Sequence, residues 1–368
     1  MSDTFTRLAL KGEPYNIGYQ HGKRLASAIA DNVEVYFTLF KHYAGLDRQA
    51  VFSRSADFVR LIGAFDEDLM TEIRGIAEGS GKSLEEIVAL NSRTEIMFRE
   101  GAHLLHGECT SMAATPEASL SQNTLIAQNW DWMPRIQRNC VLLDLEQRGK
   151  PRVLTFTEAG FVGKIGMNSA GLGLCCNLLV TPQTRPGIPF HVLCRRILDS
   201  SSIGEATGVL MTSESGASGN FLVAHAEGEA VDIEKTPIGA DYLYGSTGVL
   251  AHTNHFESRL VVEDQGRKLL PDSILRYCRA GKLLGRSIGE VEISTLQAIL
   301  RDHVNRPSSI CRHADLRAHE LERLQTNASI VMDLSGGVML ICKGQPCEGQ
   351  YEIETFDEDV VEPQPLSH

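Results

Sequence analysis

The chain has 368 residues, 42% of them hydrophobic and 22% charged, with a formal net charge of -12. This is the composition of a globular protein with a sizeable core, long enough for one large domain or two. The acidic balance argues against a nucleic-acid footprint, and no apolar run approaches the roughly 18 residues of a membrane span. The nine cysteines include no CxxC pair, which points to reduced thiols and a cytoplasmic compartment. The start, Met1-Ser2-Asp3-Thr4-Phe5, lacks the basic and apolar regions of a signal peptide.

Phe5, Leu8 and Leu10 predict a short strand within residues 1–10, and Gly12-Glu13-Pro14-Tyr15 a turn. Ile17, His21, Leu25, Ile29, Val33 and Phe37 recur every four residues, predicting a helix from Tyr15 to Phe40. Further helices are predicted over Gln49–Ile62, Asp66–Ser80 and Leu84–Glu95. The second of these stops at Gly79-Ser80-Gly81, and the third opens on a Ser83/Glu86 capping box. Gly101–Glu108 reads as a polar loop carrying His103 and His106.

The pattern changes at Cys109. Thr110, Met112 and Ala114 alternate with Ser111, Ala113 and Thr115. A turn-rich gap from Pro116 to Asn123 then precedes a second strand, Thr124–Asn129. Short strands follow over Val141–Leu145, Arg152–Phe156, Phe161–Met167 and Gly171–Asn177, an antiparallel meander. Helices over Pro189–Ser200 and Ile203–Met211 precede a hairpin, Asn220–Ala226 with Glu229–Lys235, and a strand at Leu250–Asn254. Helices over Pro271–Leu284 and Ile288–His303 precede a last hairpin, Ala328–Leu334 with Val338–Cys342. The acidic tail from Asp357 is expected to fray. Helices and strands in alternating blocks predict α+β layers, with one boundary near residue 109.

A free cysteine is mostly a small buried hydrophobe, so reading Cys109 as a nucleophile depends on its company. If the bond before it broke, its own α-amine, with a pKa of about 7.7–8.0, would sit beside the thiol as a base. Asp131, between Trp130 and Trp132, is either a turn residue or a carboxylate held against Cys109. Asn177 is an edge asparagine or a second polar contact. His252 and His255 have no carboxylate or cysteine at ligand spacing, so no metal is expected there. Asn254 between them could donate to an oxyanion. Arg312, in Ser308–His313, could pair with a carboxylate or orient the nucleophile.

Taken together, these runs resemble, in order, the motifs of the isopenicillin N acyltransferase-like family: Glu108–Ser111, Gln128–Asp131, Thr157–Gly160, Gly163–Gly171, His252–His255 and Ser309–Arg312. Gly12–Gly22 and Arg74–Gly79 fit as well. The resemblance implies an α+β, four-layer αββα amino-terminal-nucleophile sandwich. It implies self-cleavage between Glu108 and Cys109 into residues 1–108, mainly helical, and residues 109–368, catalytic, which remain one globular unit. By similarity Cys109 is the nucleophile, Asp131 orients the new amine, and Asn254 with Asn177 forms the oxyanion hole. Arg312 lies near the thiolate, and Ser309 supports the site. Substrate contacts are expected from Tyr19, Arg93, Phe98, Trp130 and Glu158. The fungal family member has glycine before its cysteine. Here Glu108 stands there, which works against the strained conformation that glycine adopts most easily. The expected activity is hydrolysis of a small N-acyl amine or N-acyl amino acid through a thioester. The alternatives are transfer from acyl-CoA, for which no separate CoA motif is seen, and a non-catalytic binding protein on the same fold. The expected assembly is an α/β heterodimer after cleavage, with no cofactor and no metal.

Overall fold

The computed structural model describes residues 4–98 and 108–356. The loop with His103 and His106 and the tail from Asp357 lie outside the described residues. Strand β1 (Thr6–Gly12) leads into six helices: α1 (Pro14–Arg24), α2 (Ala26–Ala44), α3 (Arg48–Phe65), α4 (Glu67–Ser80), α5 (Leu84–Asn91) and α6 (Arg93–Phe98). The long predicted helix from Tyr15 breaks at Leu25, where φ is -114° and ψ 20°. The run predicted over Leu84–Glu95 breaks likewise at Ser92. Periodicity carries through both breaks because the apolar stripe faces the same core on either side. The capping box forms as read: the Glu86 amide donates to Ser83 Oγ at 3.2 Å, and the Ser83 amide to Glu86 Oε2 at 2.9 Å.

Two of the family-like runs turn out to be one helix crossing. A Cβ on Gly18 would lie 1.9 Å from the Glu72 carbonyl oxygen. One on Gly22 would lie 2.3 Å from that of Ile76, and one on Gly75 2.3 Å from that of Tyr15. α1 and α4 therefore meet backbone to backbone, which only glycine permits.

The remaining strands are β2 (Glu108–Ala114), β3 (Leu125–Trp132), β4 (Cys140–Gln147), β5 (Val153–Glu158), β6 (Ile165–Asn168), β7 (Leu172–Leu178), β8 (Gly219–His225), β9 (Glu229–Thr236), β10 (Gly239–Leu243), β11 (Val249–His252), β12 (Gln325–Asp333), β13 (Val338–Lys343) and β14 (Tyr351–Thr355). Between them lie α7 (Phe190–Leu198), α8 (Ile203–Thr212), α9 (Gln265–Leu269), α10 (Asp272–Gly285) and α11 (Ile293–Leu300). One sheet has the order β1-β4-β5-β6-β7-β8-β9-β10, the other β11-β2-β3-β12-β13-β14. All pairings are antiparallel except β1 with β4, so the amino-terminal segment supplies an edge strand to the first sheet.

The alternation read at Cys109 sorts the layers. Cys109 and Ala113 join the large core shared by the two sheets and helices α1–α8. Met112 and Ala114 pack with Ala280 and Leu284 of α10 and Leu296 and Ile299 of α11. The order is helices, sheet, sheet, helices. Strand β3 runs on to Trp132, so Asp131 lies within a strand, opposite Glu108, and not in a turn. The strand predicted over Phe161–Met167 shrinks to β6, because Asn91 and His21 take up the main chain of Gly160 and Val162. The half-exposed β10 and β14 carry no clear alternation and were not predicted.

Gly18→Ala should lower stability by about 1–3 kcal/mol or more, since the overlap is with backbone. Gly281→Ala, in α10 with nothing within 4 Å of its Cβ position, should raise it by up to about 1 kcal/mol. Urea unfolding of the two variants checks the contrast; equal effects would contradict the crossing.

Candidate active site

β11 ends at His252, opposite Ser111. Cys109, two residues nearer the start of β2, has no strand neighbour on that side, and side chains replace one. Its amide donates to Asn254 Oδ1 at 2.9 Å, and its carbonyl accepts from Arg276 Nη1 at 2.7 Å. Arg276 Nη2 donates to the same Asn254 oxygen at 3.0 Å. With two donors on Oδ1, the amide orientation is fixed, and Nδ2 donates to the Leu178 carbonyl at 3.0 Å, leaving its second N–H.

From Arg276 a chain of alternating charges leads round to β3. Arg276 Nε donates to Asp272 Oδ2 at 3.0 Å, and Arg312 Nη2 to the same oxygen at 2.6 Å. Arg312 Nε stands 3.6 Å from Asp131 Oδ2, and Thr326 Oγ1 donates to Asp131 Oδ1 at 2.7 Å. Burial raises the Asp131 carboxyl to about 8, with Arg276 and the Thr326 hydrogen bond opposing the shift and Asp272 adding to it.

The Cys109 side chain points the other way, between the sheets. Burial pushes its thiol up to about 12, with Asp131 and Cys176 adding to the shift; donors from the Asp131 backbone and the Gln128 side chain oppose it. The thiol faces a gap in the first sheet. β6 pairs with β7 only at Gly166↔Leu174 and Met167↔Gly173, so residues 175–178 have no β6 partner. A narrow cavity of about 30 Å³ lies there. Cys109, Trp130, Cys176 and Leu178 line its base. Met97 and Phe98 of α6 and Phe190 and His191 of α7 line the far wall.

Cations stand in the same wall. Lys164 lies over the Trp130 ring, Nζ 3.9 Å from its centroid, and Arg93 over Trp132 at 4.3 Å. Both bind Glu158, Arg93 at 3.3 Å, and Tyr36 donates its hydroxyl to that carboxylate. Burial would raise Glu158, but Arg93 and Lys164 outweigh it and hold the carboxyl below its ordinary value. Burial, Arg93 and Lys164 push His191 well down, keeping its ring neutral.

Of the residues read from sequence, Cys109, Trp130, Arg93 and Phe98 line the cavity; Asp131 touches its edge while its carboxylate turns to Thr326 and Arg312, and Asn254 grips the Cys109 main chain. Asn177 accepts from Ser111 Oγ at 2.7 Å and from Asn220 Nδ2 at 3.2 Å, while its own Nδ2 is buried without a hydrogen-bond partner. Four of the expected residues are not among those lining the cavity. Tyr19 lies on the exposed side of α1, stacked on Tyr15, outside the cavity. Glu158 sits behind the wall, holding Lys164 and Arg93. Arg312 faces Asp131 and Asp272, away from the cavity. Ser309 Oγ donates to the Cys311 carbonyl, so it braces its own loop. Glu108 pairs with Asp131 through the main chain. His252 bonds Glu234 at 2.8 Å and His255 meets Glu257 at 2.9 Å, so each is already paired.

Arg276 and Lys164 were missed. Arg276 stands on the buried stripe of α10 with Ser273, Ala280 and Leu284, and a charge on an apolar face was the available signal. Lys164 was inside a noted run but had no assigned role.

A cysteine at the head of an inner strand, in two sheets sandwiched by helices, defines the amino-terminal-nucleophile class of fold. Residues 119–348 match the family described as Acyl-coenzyme A:6-aminopenicillanic acid acyl-transferase, and the chain belongs to it. It is 30% identical over 346 residues to the acyl-coenzyme A:6-aminopenicillanic-acid-acyltransferase 40 kDa form of Emericella nidulans, across 91% of this chain and 92% of that protein. Similar solved structures include a mutant of conjugated bile acid hydrolase from Clostridium perfringens, with TM-score 0.49, 15% identity, and 68% and 94% coverage of the two chains. Another is a Caenorhabditis elegans ortholog of N-acylethanolamine-hydrolyzing acid amidase, with TM-score 0.47, 15% identity, and 62% and 93% coverage. Among the described residues no helix is long and apolar enough to cross a membrane.

Lys164→Met removes one cation from buried Glu158 and should cost about 3–5 kcal/mol. Lys164→Met with Glu158→Gln should recover much of that loss. Urea unfolding of the two single variants, the pair and the wild type closes the cycle; strictly additive losses would mean the two side chains act independently.

Proposed function

We propose that the chain is a self-processing cysteine amidohydrolase acting on a small N-acyl amine or N-acyl amino acid. The observation that carries this is Cys109: its thiol opens on the cavity while Asn254 and Arg276 fix its amide and carbonyl. In processing, Cys109 Sγ adds to the Glu108 carbonyl carbon. The bond to the Cys109 nitrogen breaks as that nitrogen takes a proton, and water then cleaves the thioester. The products are a Glu108 carboxylate, a free thiol and an α-amine on Cys109.

That amine changes the chemistry of the thiol. A thiol near 12 holds its proton, whereas an α-amine titrates at about 7.7–8.0 and can take that proton as the sulfur attacks. The thiolate adds to the substrate carbonyl. The oxyanion is held by the second N–H of Asn254 Nδ2, and Asp131 stabilises the ammonium. The C–N bond breaks, the leaving amine carries off the proton, and water releases the acid from the thioester. Met97, Phe98, Trp130, Leu178 and Phe190 favour an apolar acyl group.

Identity to an acyl-coenzyme A-dependent acyltransferase favours a second reading. Acyl-CoA would form the same thioester with loss of the CoA thiol, and an amine in place of water would take the acyl group. Chromatography of products with and without an amine acceptor separates hydrolysis from transfer.

Intact-mass spectrometry of wild-type protein should give two chains whose masses sum to the precursor plus one water, and Cys109→Ala should give one intact chain without turnover. Activity surviving in Cys109→Ala would end the proposal.

Asn254→Asp keeps the acceptor for the Cys109 amide and removes the N–H donor. Its kcat, normalised to the processed fraction, should fall about 10²–10³-fold with KM little changed. An unchanged kcat would remove Asn254 from the oxyanion site.

A further inference from the structure

Next to Arg312 in sequence, two loops converge. The segment between α11 and β12 carries His303, Cys311 and His313. The turn between β13 and β14 carries Cys347. One ligand atom from each of the four lies within 4.8 Å of all the others. Cys311 Sγ is 3.6 Å from Cys347 Sγ and 3.8 Å from His313 Nε2. Cys347 Sγ is 3.4 Å from His313 Nε2, which is 3.1 Å from His303 Nε2.

Four of the six edges are close to those of a metal tetrahedron, and the two from His303 to the sulfurs lie within 4.8 Å. With Zn–S near 2.3 Å and Zn–N near 2.0–2.1 Å, its edges are about 3.8 Å between sulfurs, about 3.6 Å from sulfur to nitrogen and about 3.3 Å between nitrogens. A disulfide would need sulfurs at about 2.05 Å. Both imidazoles present Nε2 to the cluster. Around His313 Nδ1, Glu348 Oε1 stands at 3.9 Å and Arg306 Nη2 at 3.5 Å. The Glu348 carboxylate, beyond hydrogen-bond length here, stands where an outer partner would accept the Nδ1–H and turn Nε2 toward a metal; the Arg306 guanidinium can only donate to that nitrogen and competes for it.

We propose that His303, Cys311, His313 and Cys347 form a Cys2His2 site for a divalent transition metal of zinc type, which binds as the two thiols lose their protons. Two thiolates and two imidazoles suit zinc over the hard, oxygen-seeking cations. The bound ion would fasten the loop carrying Ser309 and Arg312 to the β13–β14 turn, setting Arg312 against Asp131 and Asp272. The metal would be structural, because all four positions belong to protein. The expectation of no metal came from searching for ligands close in sequence, whereas Cys347 lies 34 residues beyond His313.

The test compares full-length wild type with Cys347→Ser, His303→Asn and the double variant. Both substituted residues are exposed, and near-UV circular dichroism checks that the fold survives. Each protein is stripped with chelator, reloaded with Zn2+ under a phosphine reductant, desalted and analysed by elemental mass spectrometry. Wild type should retain about one zinc per chain, and the double variant less than about a tenth of that. Co2+-loaded wild type should show the intense visible bands of tetrahedral cobalt and thiolate charge transfer. Should a variant unfold, competition of wild type against a chromogenic chelator decides the same point. Equal zinc in wild type and double variant, a weak octahedral cobalt spectrum, or a Cys311–Cys347 disulfide without bound metal would each overturn the proposal.

Discussion

Two hydrogen bonds fix the main chain of Cys109, one to Asn254 and one from Arg276, and the rest of the site is built to hold those partners. A buried amide and carbonyl must be satisfied, and the usual means inside a sheet is a neighbouring strand. Here β11 stops short, so an asparagine and an arginine take its place. A strand end held by side chains does not need the chain to continue beyond it, which is what the proposed cleavage before Cys109 requires. The arrangement brings a guanidinium into the interior. Arg276, Asp272, Arg312 and Asp131 then alternate in sign, so that each buried charge has an opposite neighbour.

The balance of that row bears on activation. Burial raises the Asp131 carboxyl to about 8, and before cleavage burial, with Asp131 and Cys176 adding to it, holds the Cys109 thiol near 12. An ammonium formed at the Cys109 nitrogen would add one uncompensated positive charge on the same residue as the sulfur. In the proposed mechanism the uncut chain is therefore quiet, and the product of its own cleavage supplies the activating charge.

Much of the frame was legible in the sequence because it rests on local rules. Ser83 and Glu86 formed their box, and the alternation after Cys109 sorted residues correctly between the two layers. Local rules fail where a contact depends on elements distant in sequence. Tyr19 sits beside the glycines of a noted run, and its place outside the cavity follows from the α1–α4 crossing, which joins positions more than fifty residues apart. Arg312 was expected at the thiolate, yet strand alternation turns Asp131 to the helical side of β3, and Arg312 follows it there. Arg276 is 167 residues from Cys109. No spacing rule connects them, and only the odd charge on an apolar helix face marked it.

The runs that identify the family are mostly scaffold. Gly18 and Gly75 are a helix crossing. Asn168 donates to the Leu198 and Ser200 carbonyls at the end of α7 and accepts from the Ala170 and Leu172 amides. Thr253 and His255 bind Ser273, whose hydroxyl accepts the Asn254 amide. They brace the elements around Cys109, Asn254 and Arg276 and are not among the residues lining the cavity. The cavity wall opposite the thiol comes from α6 and α7, and Met97, Phe98 and Phe190 lie in none of those runs. Chains can therefore share every identifying run and still differ in the acyl group they accept. In the proposed reading, choice of acyl group in this chain rests in part on how Met97, Phe98 and Phe190 close the gap beside β7.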